Sequence, residues 1–176
     1  MSGQLTQEPA RTRSRWVPAI TQAVLVLVIF AVAGALAAVV WEWLWTPSSG
    51  VVVDHEWLQG LAGVQAEFSG TGVYVLVASV AGLLVGVLCA LFLDRAELVT
   101  LVAVVAGAAL AGWIMVQVGH ALGPDDPRAL ARTADNGTRL PSDLRVVGAS
   151  PYVAFPVGAT LSLAVVLLGL TKRHAE

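Results

Sequence analysis

Four long apolar stretches, at 18–45, 72–93, 98–122 and 152–170, contain none of the chain's ten Lys and Arg residues. A basic side chain at the centre of a bilayer costs at least a few kcal/mol, and about 20 apolar residues let a helix cross the hydrocarbon core. This segregation of charge predicts an all-α membrane protein, a bundle of four transmembrane helices over 18–172 between a disordered tail at 1–17 and a short tail at 173–176. Composition agrees: 57% of residues are hydrophobic and 12% charged, against roughly 25% charged in a soluble domain. Pro156 predicts a kink or a late start in the fourth helix.

The first stretch follows Arg11, Arg13 and Arg15 and contains "AGALAA", which resembles a cleavable site. Its length and its closing tryptophan cluster favour an uncleaved anchor. Placing both termini in the cytoplasm leaves Arg11, Arg13, Arg15, Arg95, Lys172 and Arg173 inside and Arg128, Arg132, Arg139 and Arg145 outside, a modest positive-inside bias. The expected location is the plasma membrane, multi-pass. The short connection "DRAE" makes the second and third helices antiparallel neighbours.

Two outer loops, 46–71 and 123–151, are expected to form a small extracytoplasmic cap. "GVVVD" reads as a strand and "FSGTG" as a turn feeding the second helix. Asp126 can N-cap a short helix with Pro127 at its first position, and "DNG" turns the chain. "VVV" at 51–53 is expected to pair with "LRVV" at 144–147 as a ribbon over the helix ends.

Helical spacing groups Ala31, Ala35, Ala38 and Glu42 on one face of the first helix, with Ala35 and Ala38 as packing residues. In the second, Gly82 and Gly86 form a GxxxG sequence suited to close helix approach, which leaves homo-oligomerisation open. Trp41, Trp43, Trp45, Tyr74 and Tyr152 read as interfacial anchors that fix helix depth. On the third helix Ala106, Ala109, Trp113, Gln117 and His120 share a face. Glu42, Gln117 and His120 reach similar depth and form the candidate polar cluster beneath the outer interface, where an unpaired carboxylate would be costly.

No catalytic constellation is found: G-x-S-x-G, H-E-x-x-H, C-x-x-C and P-loop sequences are missing. "DHE" at 54–56 reads as a loop tripeptide, so no metal site is expected, and only His120 among the three histidines is intramembrane, which argues against a bis-histidine haem. No cofactor is implied. A net charge of −2 carries no nucleic-acid signature. The lone Cys89 reads as a small packing residue.

The segments "GVVV", "FSGTGVYVLVASVAGLLVG", "QVGHALGP", "GTRLPSDLRVVG" and "FPVGA" resemble a group of uncharacterised actinobacterial four-helix membrane proteins, a domain of unknown function. The resemblance covers about 24–170 and implies a plasma-membrane protein with an extracytoplasmic second loop, without catalytic residues. The expected function is a non-enzymatic accessory or partner-binding subunit at the cell envelope, with the lipid bilayer and a membrane or envelope protein as partners. The alternative is a small transporter or lipid-binding protein using Glu42, Gln117 and His120.

Overall fold

A computed structural model describes residues 16–92 and 97–173, so the expected tail before residue 16, most of the "DRAE" connection and the last three residues lie outside the described residues. The chain is mostly helical: α1 (Trp16–Leu44), α2 (Leu61–Phe92), α3 (Glu97–Leu122), a short α4 (Pro127–Ala131) and α5 (Ala154–Arg173). Strands β1 (Ser49–Val53) and β2 (Glu56–Leu58) lie between α1 and α2, and β3 (Arg139–Pro141) follows α4. A 3-10 turn, Ser150–Val153, leads into α5, so the last helix starts just before Pro156 and holds it in its first turn, where its missing N–H costs nothing. Three stretches, Ala19–Leu44, Gly63–Phe92 and Thr100–Ala131, are long and apolar enough to cross a membrane, and Ser150–Val166 is a shorter apolar one.

The two longest helix contacts are α1 with α3 and α2 with α5. Glycines create both. A Cβ at Gly34 would strike the backbone of Ala111, one at Gly107 the Phe30 ring, and one at Gly119 the Trp41 ring. The contacts rise together along both helices, so α1 and α3 are parallel. In the second pair a Cβ at Gly82 would strike Phe155 and Ala159, one at Gly86 would strike Ala159 and Ser162, and one at Gly158 would strike Ser79. These two helices are parallel as well, and the GxxxG sequence is occupied by α5 of the same chain. Small residues let backbones approach closely, which is what holds helices together where no hydrophobic force acts between them.

Around the bundle the order is α1, α3, α5, α2. Helices α2 and α3, expected to be neighbours, are therefore diagonal and touch little. A short connection requires only that two helix ends be close; the glycine notches decide which helices lie along one another. The packed face of α1 is also turned by about one position from the expected stripe. Val26, Phe30, Gly34, Ala37, Ala38 and Trp41 are buried, whereas Ala31 and Ala35 are half-buried.

Two expectations for the outer loops are corrected. Helix α2 begins at Leu61 rather than near residue 72, and "FSGTG" is helical. Thr71 Oγ1 donates to the Glu67 carbonyl at 3.3 Å, and the indole N–H of Trp41 donates to the Gly70 carbonyl at 2.9 Å, so the segment is tied into the bundle. Strand β1 pairs with β2 and with β3, in the order β2-β1-β3, not with 144–147. The β1–β2 hairpin turns through Asp54 and His55, both at positive φ (52° and 62°), as a two-residue connection of this twist demands. Segment 144–147 instead runs down onto the bundle. Leu144 is buried over Gly123, and the Val147 N–H donates to Thr71 Oγ1 at 3.1 Å. As expected, the Asp126 side chain caps α4 by accepting from the Arg128 N–H, with Pro127 first in the helix.

These contacts separate two glycines of α2. Gly82→Val forces its side chain into the α5 backbone and is expected to cost about 1–3 kcal/mol. Gly72→Ala meets open space and is expected to be neutral or stabilising by up to about 1 kcal/mol. Thermal unfolding of the detergent-solubilised protein by circular dichroism checks the opposite signs.

Candidate functional site

The aromatic residues at the cap end of the bundle divide into core and surface. Trp41 and Tyr74 are fully buried, in T-shaped contact with ring centroids 5.1 Å apart, and Tyr74 donates to the Gly112 carbonyl at 3.2 Å. They are packing residues, not lipid-facing anchors, because the glycine at 119 opens a notch that the Trp41 ring fills. Trp45 is half-buried against the same cluster, Tyr152 lies at its edge 6.3 Å from Tyr74, and Trp43 is exposed.

Gln117 and His120 do share a face of α3 with Trp113, and that face is exposed. The buried face is the opposite one, Val104, Ala108, Ala111, Met115 and Gly119. Glu42 is half-buried in the last turn of α1, and no hydrogen bond or ion pair joins its side chain to Gln117 or His120. The periodicity grouped the α3 residues, but both faces of this helix carry small apolar residues, so periodicity could not say which one points inward.

The polar groups that do converge lie in the cap. Arg128 on α4 approaches Glu67 on α2 at 3.6 Å and Asp143 at 3.9 Å, and Arg145 approaches the other Asp143 oxygen at 3.9 Å. The Arg128 guanidinium also sits over the Trp57 ring, 5.3 Å from its centroid. Glu67 Oε1 and Asp143 Oδ1 are buried without a hydrogen bond, so Arg128 is the charge that compensates them. One cation thereby ties together α2, α4, β2 and the segment after β3. Sequence reasoning counted these residues only as loop charges for topology; the capped "DDPR" sequence was the available sign that Arg128 would be held in a fixed place.

Beneath this cluster the sheet has two unlike faces. Val52 and Trp57 point inward against Ala131, Ala134 and Leu140, and the Trp57 indole donates to the Leu140 carbonyl at 3.3 Å. The other face carries Val51 and Val53, with Leu58 directly opposite Val51. All three are exposed, as are Leu61, Val64 and Phe68 on the first turns of α2, the first and last of them by 87% and 67%. Among the described residues no group of three or more His, Cys, Asp or Glu side chains could hold a metal ion.

No protein-family model, curated protein or solved structure matches the chain.

Truncation of the hub gives a local readout. Arg128→Ala removes a cation–π contact and two partly exposed ion pairs, together about 1–2 kcal/mol. It is expected to raise amide hydrogen exchange in 49–58 and 139–141 by about 5- to 30-fold, with the centres of α1 and α3 unchanged, as measured by mass spectrometry.

Proposed function

We propose that the chain is a non-enzymatic, four-span plasma-membrane subunit, termini in the cytoplasm and cap outside, that binds a membrane or envelope protein through the apolar outer surface of the cap. One observation carries this reading. The Trp41–Gly70 hydrogen bond sets Gly70 level with the last turn of α1, so the turns of α2 before it project about 13 Å further out. On this placement the exposed Leu61, Val64 and Phe68 stand beyond the end of α1, next in sequence to the exposed Val51, Val53 and Leu58. The cap is also too well braced to be a mere connection, with a three-stranded sheet, its own small core and the Arg128 hub. Apolar area gathered on an otherwise polar outer surface marks an interaction site.

The apolar length of α5 supports the fourth span, and the excess of inside Lys and Arg supports the orientation. A transporter or lipid-binding site built on Glu42, Gln117 and His120 finds less support, because two of the three sit on the outward face of α3.

The test is crosslinking in native membranes with an amine-independent photoreactive residue at position 58 or 68. A discrete adduct to another protein is expected, reduced about tenfold or more by Leu61→Asp with Val53→Asp; recovery of the uncrosslinked chain alone would refute the reading. Orientation is checked separately: in a Cys89→Ala background, Asn136→Cys is expected to react with an impermeant maleimide on intact cells.

A further inference from the structure

Asn136 is the chain's only asparagine, and Gly137 follows it. An Asn-Gly pair carries a chemistry of its own. The backbone nitrogen of the second residue attacks the side-chain amide carbon of the first, and glycine, with no Cβ, leaves that approach open. A cyclic succinimide forms as the new N–Cγ bond replaces the Cγ–Nδ2 bond and ammonia leaves. Water then opens either carbonyl of the ring, giving aspartate or isoaspartate. Solvent water is the only co-reactant, and no electrons are exchanged.

The fold ties both reacting groups of this pair to β1 and the turn that follows it. Asn136 Oδ1 accepts the Asp54 N–H at 2.8 Å, and the Gly137 N–H donates to the Val52 carbonyl at 2.8 Å. Val52 in turn donates its own N–H to the Thr138 carbonyl at 2.9 Å. Until these bonds open, the attacking nitrogen cannot give up its proton to solvent and the amide carbon cannot turn toward it. Asn136 and Gly137 are exposed, and a Cβ at Gly137 would meet nothing, so packing does not shield the pair. The hydrogen bonds alone stand in the way.

We propose that Asn136 is a self-modification site gated by the cap. While β3 is closed on β1 the asparagine is preserved; when that edge opens it deamidates, and the isoaspartate formed keeps β3 from closing again. Local opening of a short sheet edge is the step that gates the chemistry. The second half follows from the covalent change. Isoaspartate routes the backbone through the former side chain and lengthens it by a carbon inside the turn that the Thr138 N–H closes on the Asp135 carbonyl at 3.2 Å. The side-chain oxygen that held the Asp54 N–H becomes a backbone carbonyl, and the freed α-carboxylate adds a negative charge next to Asp135 and near Asp54. The proposal rests on the fold of the cap and is independent of what the cap binds.

The test incubates the full chain in detergent micelles at mildly alkaline pH, digests aliquots in acid, and follows the Asn136 peptide by liquid chromatography and mass spectrometry, which resolve aspartate from isoaspartate. The wild-type chain is expected to convert at least about tenfold more slowly than a synthetic peptide of residues 133–139 in the same buffer. Arg128→Ala, which loosens the cap, is expected to speed conversion by the factor by which it speeds hydrogen exchange at the Gly137 amide. The same nitrogen reports opening in one experiment and attacks in the other. Isoaspartate-containing chain is expected to exchange the Val52 amide at least about tenfold faster than unconverted chain. Conversion of the wild-type chain at the peptide's rate overturns the proposal, as does isoaspartate-containing chain that keeps a slow Val52 amide; neither needs a variant that folds. Faster Gly137 exchange without faster conversion in Arg128→Ala overturns it too.

Discussion

The close approach of backbones at Gly34, Gly82, Gly86 and Gly158 is the contact on which the rest of the structure depends. Helices apolar enough to cross a membrane would gain little there by hiding apolar surface from one another, so dispersion and hydrogen bonds between touching surfaces must select their partners. Each parallel pair places a missing Cβ against a facing backbone: Gly34 on Ala111, Gly82 on Phe155, Gly158 on Ser79. The two pairs then share a core in which Phe30 and Phe155 meet edge to face, with ring centroids 6.0 Å apart. The diagonal placement of α2 and α3 follows from this pairing, as does the depth at which Trp41 meets Gly70.

That depth in turn sets the cap on its base. Trp41, Tyr74 and Leu144 close the end of the bundle beneath the cap, and the turns of α2 that precede Gly70 stand beyond it, beside the sheet's connections. The sheet is too small to stand alone: three short strands bury only Val52, Trp57 and their few neighbours. Its stability comes from being joined to the bundle, by Glu67 and Asp143 through Arg128 and by Thr71 through the Val147 N–H. Individually these partly exposed ion pairs are weak. Their arrangement on one guanidinium, which also covers Trp57, fixes four segments with the ordering of a single side chain.

The sequence made the elements legible and their faces illegible, for physical reasons. Charge segregation marks long apolar helices, and Asp126 with Pro127 marks the start of α4, because solvation and capping are local. The choice of inward face is not local. Along α3 small residues occur on every side, and the partners that bury Ala111 and Gly119, namely Gly34 and Trp41, belong to α1. The same dependence on a partner explains why Trp41 reads as an interfacial residue and lies in the core. Strand pairing failed similarly: "LRVV" has better β-forming residues than Arg139–Pro141, but Leu144 gains more by capping Gly123 than it could on a solvated sheet edge. The Arg128 hub was hidden because its carboxylates, Glu67 and Asp143, are far apart in sequence and Glu67 lies on turns that looked like loop.

Exposed apolar side chains mean different things on the two sides of the Trp41–Gly70 level. Leu76 and Leu84 are each 62% exposed and Phe68 67%, a negligible difference in fractional exposure. On the membrane placement proposed above, the medium below that level is hydrocarbon, which satisfies a leucine without any partner. Above it the same placement puts water, and each such side chain left bare forgoes about 1.5–3 kcal/mol that burial would return. On that placement Leu58, Leu61 and Phe68, left uncovered on a cap braced by an ion-pair hub, are what the proposed partner would cover, and the same residues placed three turns deeper would need no partner.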